Sequence, residues 1–138
     1  MLDKTTEFGR RVANRLETEL VIWFTTVRSD GMPQPVPVWF LWENEEFLIY
    51  TKPNAFKLRN IWRNPKVSLH FNGDDRGGNI IIVPGEAYLD KEAPMADQVE
   101  NYIEKYRQRM AFLEYTAESF ARSYSVPIKV KPTRFYGH

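Results

Sequence analysis

Five short runs of β-branched and aromatic residues, each closed by a tight polar or glycine-bearing turn, dominate the first two thirds of the chain. They are VIWFTTVRS (21–29), PVPVWFLWE (35–43), FLIYT (47–51), KVSLHFNG (66–73) and NIIIVPGEAYLD (79–90). Runs of this composition and length are strands, and connections this short join antiparallel neighbours. Asp30-Gly31 is a strong turn signal after the first run, and Pro33 delays the second. Asn44, Glu45 and Glu46 make the next turn, so the first three strands read as an antiparallel meander. Pro35 and Pro37 lie two apart and leave the same side of their strand without N–H groups, which fits an edge, a bulge or a ligand-facing rim. Pro84-Gly85 interrupts the fifth strand. A bend there lets one strand serve two neighbours, a device that closes small barrels.

Helical periodicity fills the intervals. Phe8, Val12 and Leu16 recur every fourth residue within 3–19. Pro53 and Asn54 mark the start of a second helix, Leu58, Ile61 and Trp62 form its apolar face, and Asn64-Pro65 ends it. From 94 to 124, Val99, Tyr102, Ile103 and Tyr106 form one stripe. Met110, Leu113, Phe120 and Tyr124 continue it after a break. Ile128, Val130 and Phe135 suggest a last strand. The order α-β-β-β-α-β-β-α-β predicts a mainly β fold with flanking helices (α+β), a small barrel in a single domain over residues 1–138.

Composition removes several chemistries. The 138 residues contain no cysteine, which excludes disulfides, thiolate metal sites and Cys nucleophiles. Only His70 and the terminal His138 are available for a metal site or a serine triad, and that inventory assembles neither easily. Nineteen Lys and Arg against 18 Asp and Glu leave a net charge of +1, which argues against nucleic acid or an anionic membrane as partner. MLDKTTEFGRR lacks the apolar core of a signal peptide, and no run approaches the length of a membrane helix; the expectation is a cytoplasmic protein.

The remaining signal is local. No acidic residue occurs from Phe47 to Gly73, yet Lys52, Lys57, Arg59, Arg63 and Lys66 all fall there. Much of this charge lies on the helix beginning near Asn54, whose free N–H groups and positive dipole end add to it, making a plausible phosphate site; a solvated helix face is the plainer alternative. Lys57 sits in the first turn, where a cation opposes the dipole, and a bound anion would explain the placement. In the neighbouring strand Val38, Phe40 and Trp42 share one face and Trp39 and Leu41 the other. Such a strand is buried on both sides or sets one face against a ligand. A flat apolar surface beside a phosphate site suits a flavin-type cofactor. His70 faces away from Val67, Leu69 and Phe71 and is a candidate proton donor or a plain surface histidine. The adjacent Asp74 and Asp75 diverge on a strand and support no paired-carboxylate chemistry. Neither GxxxxGK[ST] nor GxGxxG occurs.

YTKPNAFKLRNIWRNPKVSLHF resembles the cofactor-binding region of the pyridoxamine 5′-phosphate oxidase-like split β-barrel proteins. In those proteins a strand ends in Tyr-Thr, a helix carries a Lys, and Asn-Pro-(basic)-Val opens the next strand. PVPVWFLWENEEFLIYT and RGGNIIIVPGEAYL bring the likeness closest to the deazaflavin-dependent oxidoreductases of that superfamily, from about residue 20 to 89. The resemblance implies a homodimer of split barrels with cofactors at the interface, FMN in one branch and coenzyme F420 in the branch this sequence resembles. Carried over by position, Tyr50, Thr51 and Lys57 contact the cofactor phosphate region, with Lys52 and Arg59 nearby, and Val38, Trp39 and Phe40 run beside the tricyclic ring. No basic residue stands among Pro35, Val36, Pro37 and Val38 to reach an FMN phosphate, which argues against pyridoxamine phosphate oxidation.

The expected function is therefore hydride transfer between coenzyme F420 and a small organic substrate, with His70 and Tyr50 as candidate acids. An FMN-binding relative of the oxidase and a non-catalytic flavin- or deazaflavin-binding protein are the alternatives. An RNA-binding barrel and a haem protein using His70 are more distant ones.

Overall fold

The computed structural model describes residues 2–138. The chain opens with α1 (Glu7–Thr18), whose N-cap Thr6 accepts from the Gly9 N–H at 2.9 Å, satisfying one of the free donors of the first turn. Next come β1 (Ile22–Val27), β2 (Pro33–Val38), β3 (Leu41–Glu43), β4 (Glu46–Thr51), α2 (Phe56–Arg63), β5 (Lys66–His70) and β6 (Ile81–Leu89). A 3-10 turn (Ala96–Gln98), α3 (Glu100–Phe112), α4 (Ala117–Ser123), β7 (Val126–Pro132) and β8 (Tyr136–Gly137) complete it. The strands form one antiparallel sheet in the order β2-β1-β5-β6-β7-β4-β3, with β8 pairing β6.

The run at 35–43 is two strands, not one, and this corrects the expected meander. Its first half pairs back onto β1, with Thr25 opposite Pro35 and Trp23 opposite Pro37. Its second half pairs with β4 through a hairpin at Asn44 and Glu45, both at positive φ, as a two-residue turn of this twist requires. Consecutive strands therefore occupy the two opposite edges of the sheet. Only Trp39 and Phe40 separate them, so the sheet has to curl until its edges meet, giving a split barrel. The freed backbone at the crossing is satisfied by α3: the Phe40 N–H donates to Tyr106 Oη at 2.8 Å, and Lys105 Nζ donates to Phe40 O at 2.8 Å. Pro35 and Pro37 fall on an edge strand, where a missing donor costs no ladder bond.

β6 does serve two neighbours. It pairs with β5 over residues 82–86 and with β7 over 85–89. At the overlap a Cβ on Gly85 would lie 2.5 Å from Lys131 O, so only glycine permits that approach.

Alternation sorts the sheet into two cores. Inside the curl, Phe24, Phe47, Ile49, Leu69, Val83, Ile128 and Val130 pack with Val12 and Leu16 of α1. Outside it, Leu41, Leu48 and Tyr50 are covered by Tyr102, Tyr106 and Met110 of α3 and Phe120 of α4. The parity expected for 38–42 holds across the break. Val38, Phe40 and Trp42 join the inner cluster, and Trp39 and Leu41 join the outer one.

Candidate functional site

The ends of β2 and β4, the start of α2 and the α3–α4 connection surround a cavity of about 410 Å³, within the range of small-molecule sites, about 300–1,000 Å³. One end is polar. Thr51 closes β4, and four residues later the chain turns into α2 at Ala55, which carries no capping side chain. The first turn of α2 has no acidic residue, so its N–H groups keep their positive field. Asn54, Ala55, Lys52 and Lys57 line this end. Lys57 Nζ donates to Thr51 Oγ1 at 3.2 Å and forms no ion pair among the described residues. Burial alone lowers its pKa from the ordinary lysine value. A partly buried ammonium without a carboxylate partner is uncomfortable, and an anion is what would relieve it.

The other end is aromatic. Trp39 stacks on Tyr106 at 4.5 Å and on Phe120 at 5.3 Å between centroids. Phe120 stacks in turn on Tyr124 at 4.6 Å. Lys52 Nζ lies 5.4 Å from the Tyr124 ring centre and joins the two ends. Tyr50 and Tyr102 meet edge to face at 5.0 Å. Tyr50 donates to Pro94 O at 2.7 Å, and burial, together with the carboxylates of Glu43 and Asp97, holds its phenol well above the ordinary range. None of the residues lining the cavity is acidic.

Of the residues singled out in the sequence, the fold brings Val38, Trp39, Tyr50, Thr51, Lys52 and Lys57 to this cavity. Phe40 and Arg59 are not among its walls. Phe40 turns into the barrel interior, against Phe47 and Phe71. Arg59 is exposed on α2. His70 lies elsewhere, stacked on Trp23 at 6.1 Å with its pKa lowered by burial. Sequence reasoning missed the far wall, formed by Tyr102, Leu113, Tyr115, Phe120 and Tyr124. The available signal was hydroxyls on a buried helical stripe, since a tyrosine there needs a partner that phenylalanine would not. Among the described residues no group of three His, Asp or Glu could hold a metal, and no helix is long and apolar enough to cross a membrane.

A curled antiparallel sheet with a cationic helix start and an aromatic chamber at one edge defines a split-barrel protein with a small-molecule cavity. Residues 8–138 match the family described as pyridoxamine 5′-phosphate oxidase, and the chain belongs to that family. No curated protein matches it. Among solved structures it is similar to an F420 reductase, at 26% identity over 89% of this chain and 94% of that one, with a TM-score of 0.63. It is similar also to the heme storage protein HutZ from Vibrio cholerae, at 13% identity over 96% and 95% with a TM-score of 0.65. A FAD-binding protein from Mesorhizobium loti matches at 16% identity over 88% of each chain, with a TM-score of 0.61. The last two likenesses are of fold alone.

Proposed function

We propose that this chain is an oxidoreductase that binds a flavin-type cofactor, coenzyme F420 in preference to FMN, and passes a hydride between it and a small organic substrate. The observation that carries this is Lys57: a partly buried cation with no carboxylate partner, at an uncapped helix start, in a cavity whose other walls are aromatic. A ligand with an anionic tail and fused rings matches both ends. Arg59 and Arg63, exposed along α2, supply further cations outside the cavity, which suits a tail longer and more acidic than one phosphate. The F420 reductase neighbour supports the same choice. In this reading Lys57, Lys52 and the α2 N–H groups hold the tail, and Thr51 keeps the Lys57 ammonium in place. Val38 and the edge of Trp39 border the ring. When bound, the cofactor supplies the hydride, so the protein needs neither metal nor nucleophile. Its own work is to orient the ring and exclude water. The proposal includes one cofactor-binding domain over the whole chain, pairing with a second copy; Trp62 and Phe56, exposed on α2, are apolar surface such a partner could cover.

Equilibrium titration with F420 and with FMN tests the reading. F420 should bind the wild type more tightly than FMN, and Lys57→Ala should weaken F420 at least about tenfold, the loss of one charge-assisted contact, while leaving the thermal midpoint nearly unchanged. Unaltered affinity in Lys57→Ala removes the cationic end from the site. Reduced F420 that binds but reduces no quinone or dye acceptor makes the chain a carrier, not an enzyme.

A further inference from the structure

The helix that presents Lys57 is weakly held by its own means. Its eight residues are too few to form a stable helix in water, Ala55 gives it no side-chain cap, and it buries only Asn60 and Ile61. Ile61 joins the inner core, and half-buried Leu58 packs against the same cluster. Such aliphatic contacts have no preferred direction, so they set the depth of α2 but tolerate rotation about its axis. Rotation decides where Lys57 points. Lys57 stands three residues before Asn60, on the same face and one turn nearer the cavity.

Asn60 removes that freedom. Its amide donates to Thr26 Oγ1 at 2.9 Å and to Gln34 Oε1 at 2.8 Å, and its Oδ1 accepts from Arg63 at 3.2 Å. Thr26 and Gln34 are register partners across β1 and β2, so one side chain ties α2 to both strands. Asn60 and Thr26 are 3% and 1% exposed. A buried amide whose donors are all used adds little net stability over an apolar residue of its shape, and helix interiors favour leucine over asparagine. What the amide adds is direction, which hydrogen bonds require and apolar contacts do not. Along β2, Gln34 leads to Pro37 and Val38, which line the cavity, so the same bonds set the first turn of α2 against that wall. We infer that Asn60, which does not itself line the cavity, is a positioning residue: by pinning α2 to the Thr26–Gln34 pair it aims the Lys57 ammonium, and so sets the affinity of the cationic end for an anion that Asn60 never touches. That the anion belongs to a flavin-type cofactor rests on the function proposed above. The pinning does not.

A double-mutant cycle tests this, with F420 and inorganic pyrophosphate titrated separately as probes. Asn60→Leu keeps the size of the side chain and removes the directional bonds. It should weaken each probe that the wild type binds by about fivefold or more, as coupled residues do. Gln34→Ala, at a half-buried position of the edge strand, removes one bond alone and should cost about twofold. Most of either loss should vanish when Lys57→Ala is already present, because there is no ammonium left to aim. A general weakening of the fold would instead appear as the same fold-loss in both backgrounds, and that result overturns the inference, as does unaltered binding in Asn60→Leu. If Asn60→Leu does not fold, the Gln34→Ala cycle decides by the same criterion. Should F420 fail to bind the wild type while the pyrophosphate cycle behaves as stated, the cofactor reading fails and the positioning role stands. Should F420 bind and the two losses simply multiply, the positioning role fails and the cofactor reading stands. A wild type that binds neither probe overturns both.

Discussion

The two faces of β4 belong to different kinds of core. Inward, Phe47 and Ile49 join a cluster of branched aliphatic and phenylalanine side chains with no polar atom to place. Outward, Leu48 and Tyr50 meet tyrosines, tryptophan and a cavity. The inner layer owes its stability to close packing. The outer layer mixes packing with hydroxyls, of which those of Tyr50 and Tyr106 have acceptors and that of Tyr102 has none among the described residues, and it keeps empty volume. One strand thus separates the part of the molecule that holds the fold from the part that can receive a ligand.

Truncation should expose that difference most strongly. Phe24→Ala opens a sealed void in the inner layer and is expected to cost about 3–5 kcal/mol of stability. Phe120→Ala, equally well buried, enlarges a space that already exists, so the added cavity cost largely disappears and about 2–3 kcal/mol should be lost. Urea unfolding of both variants measures the gap. Equal losses would mean the outer layer is packed as tightly as the inner one and would count against the cavity as a ligand site.

A finer contrast lies within the outer layer. Tyr106→Phe leaves the Phe40 N–H buried without an acceptor at the point where the barrel crosses from β2 to β3. The expected loss is about 1–3 kcal/mol, read from the same unfolding curves. The parallel change at Tyr102, with no bond to lose, should destabilise nothing. If the two variants fall together, the Tyr102 hydroxyl contributes to the fold as the Tyr106 hydroxyl does.

How much of this was legible in the sequence depends on whether local pattern or closure decided the matter. Strand parity was legible because alternation is a property of the backbone: Phe40 and Trp39 go to opposite cores even though the strand breaks between them. The break itself was not, since PVPVWFLWE is one unbroken apolar run and only the meeting of the sheet's edges forces it apart. The cationic end was visible as charge free of acid, and Lys57 in a first turn was an anomaly by itself. Arg59 shows the limit of that signal, for on an eight-residue helix two residues change the face, and it points to solvent. The far wall was hidden for a different reason. Tyr102 and Tyr106 share a stripe and look equivalent, and only the crossing at Phe40, distant in sequence, consumes one hydroxyl and spares the other.

The smallest expected effect concerns Lys105, which braces the same crossing. Its ammonium donates to Phe40 O and lies 3.7 Å from the Phe40 ring centre. Burial, partly offset by Glu17 and Glu19, pushes its pKa down to about 8. A lysine lowered in the folded state binds fewer protons there than in the unfolded chain at pH values between about 8 and the ordinary lysine value of 10.5, so stability should rise with pH across that window. Tyr50, Tyr102 and Tyr106 act in the opposite sense. Burial holds their pKa values above the ordinary phenol value of 10.0, so the unfolded chain loses those protons first and stability falls once pH passes that value. The two trends predict a shallow maximum near the phenol value. Partial exposure screens the lysine contribution to about 1 kcal/mol or less. Urea midpoints taken at intervals from pH 7 to 10 should climb in the wild type and climb less steeply in Lys105→Met, the remainder belonging to Lys57, whose pKa burial also lowers. An undiminished climb in Lys105→Met would show that Lys105 carries none of the trend.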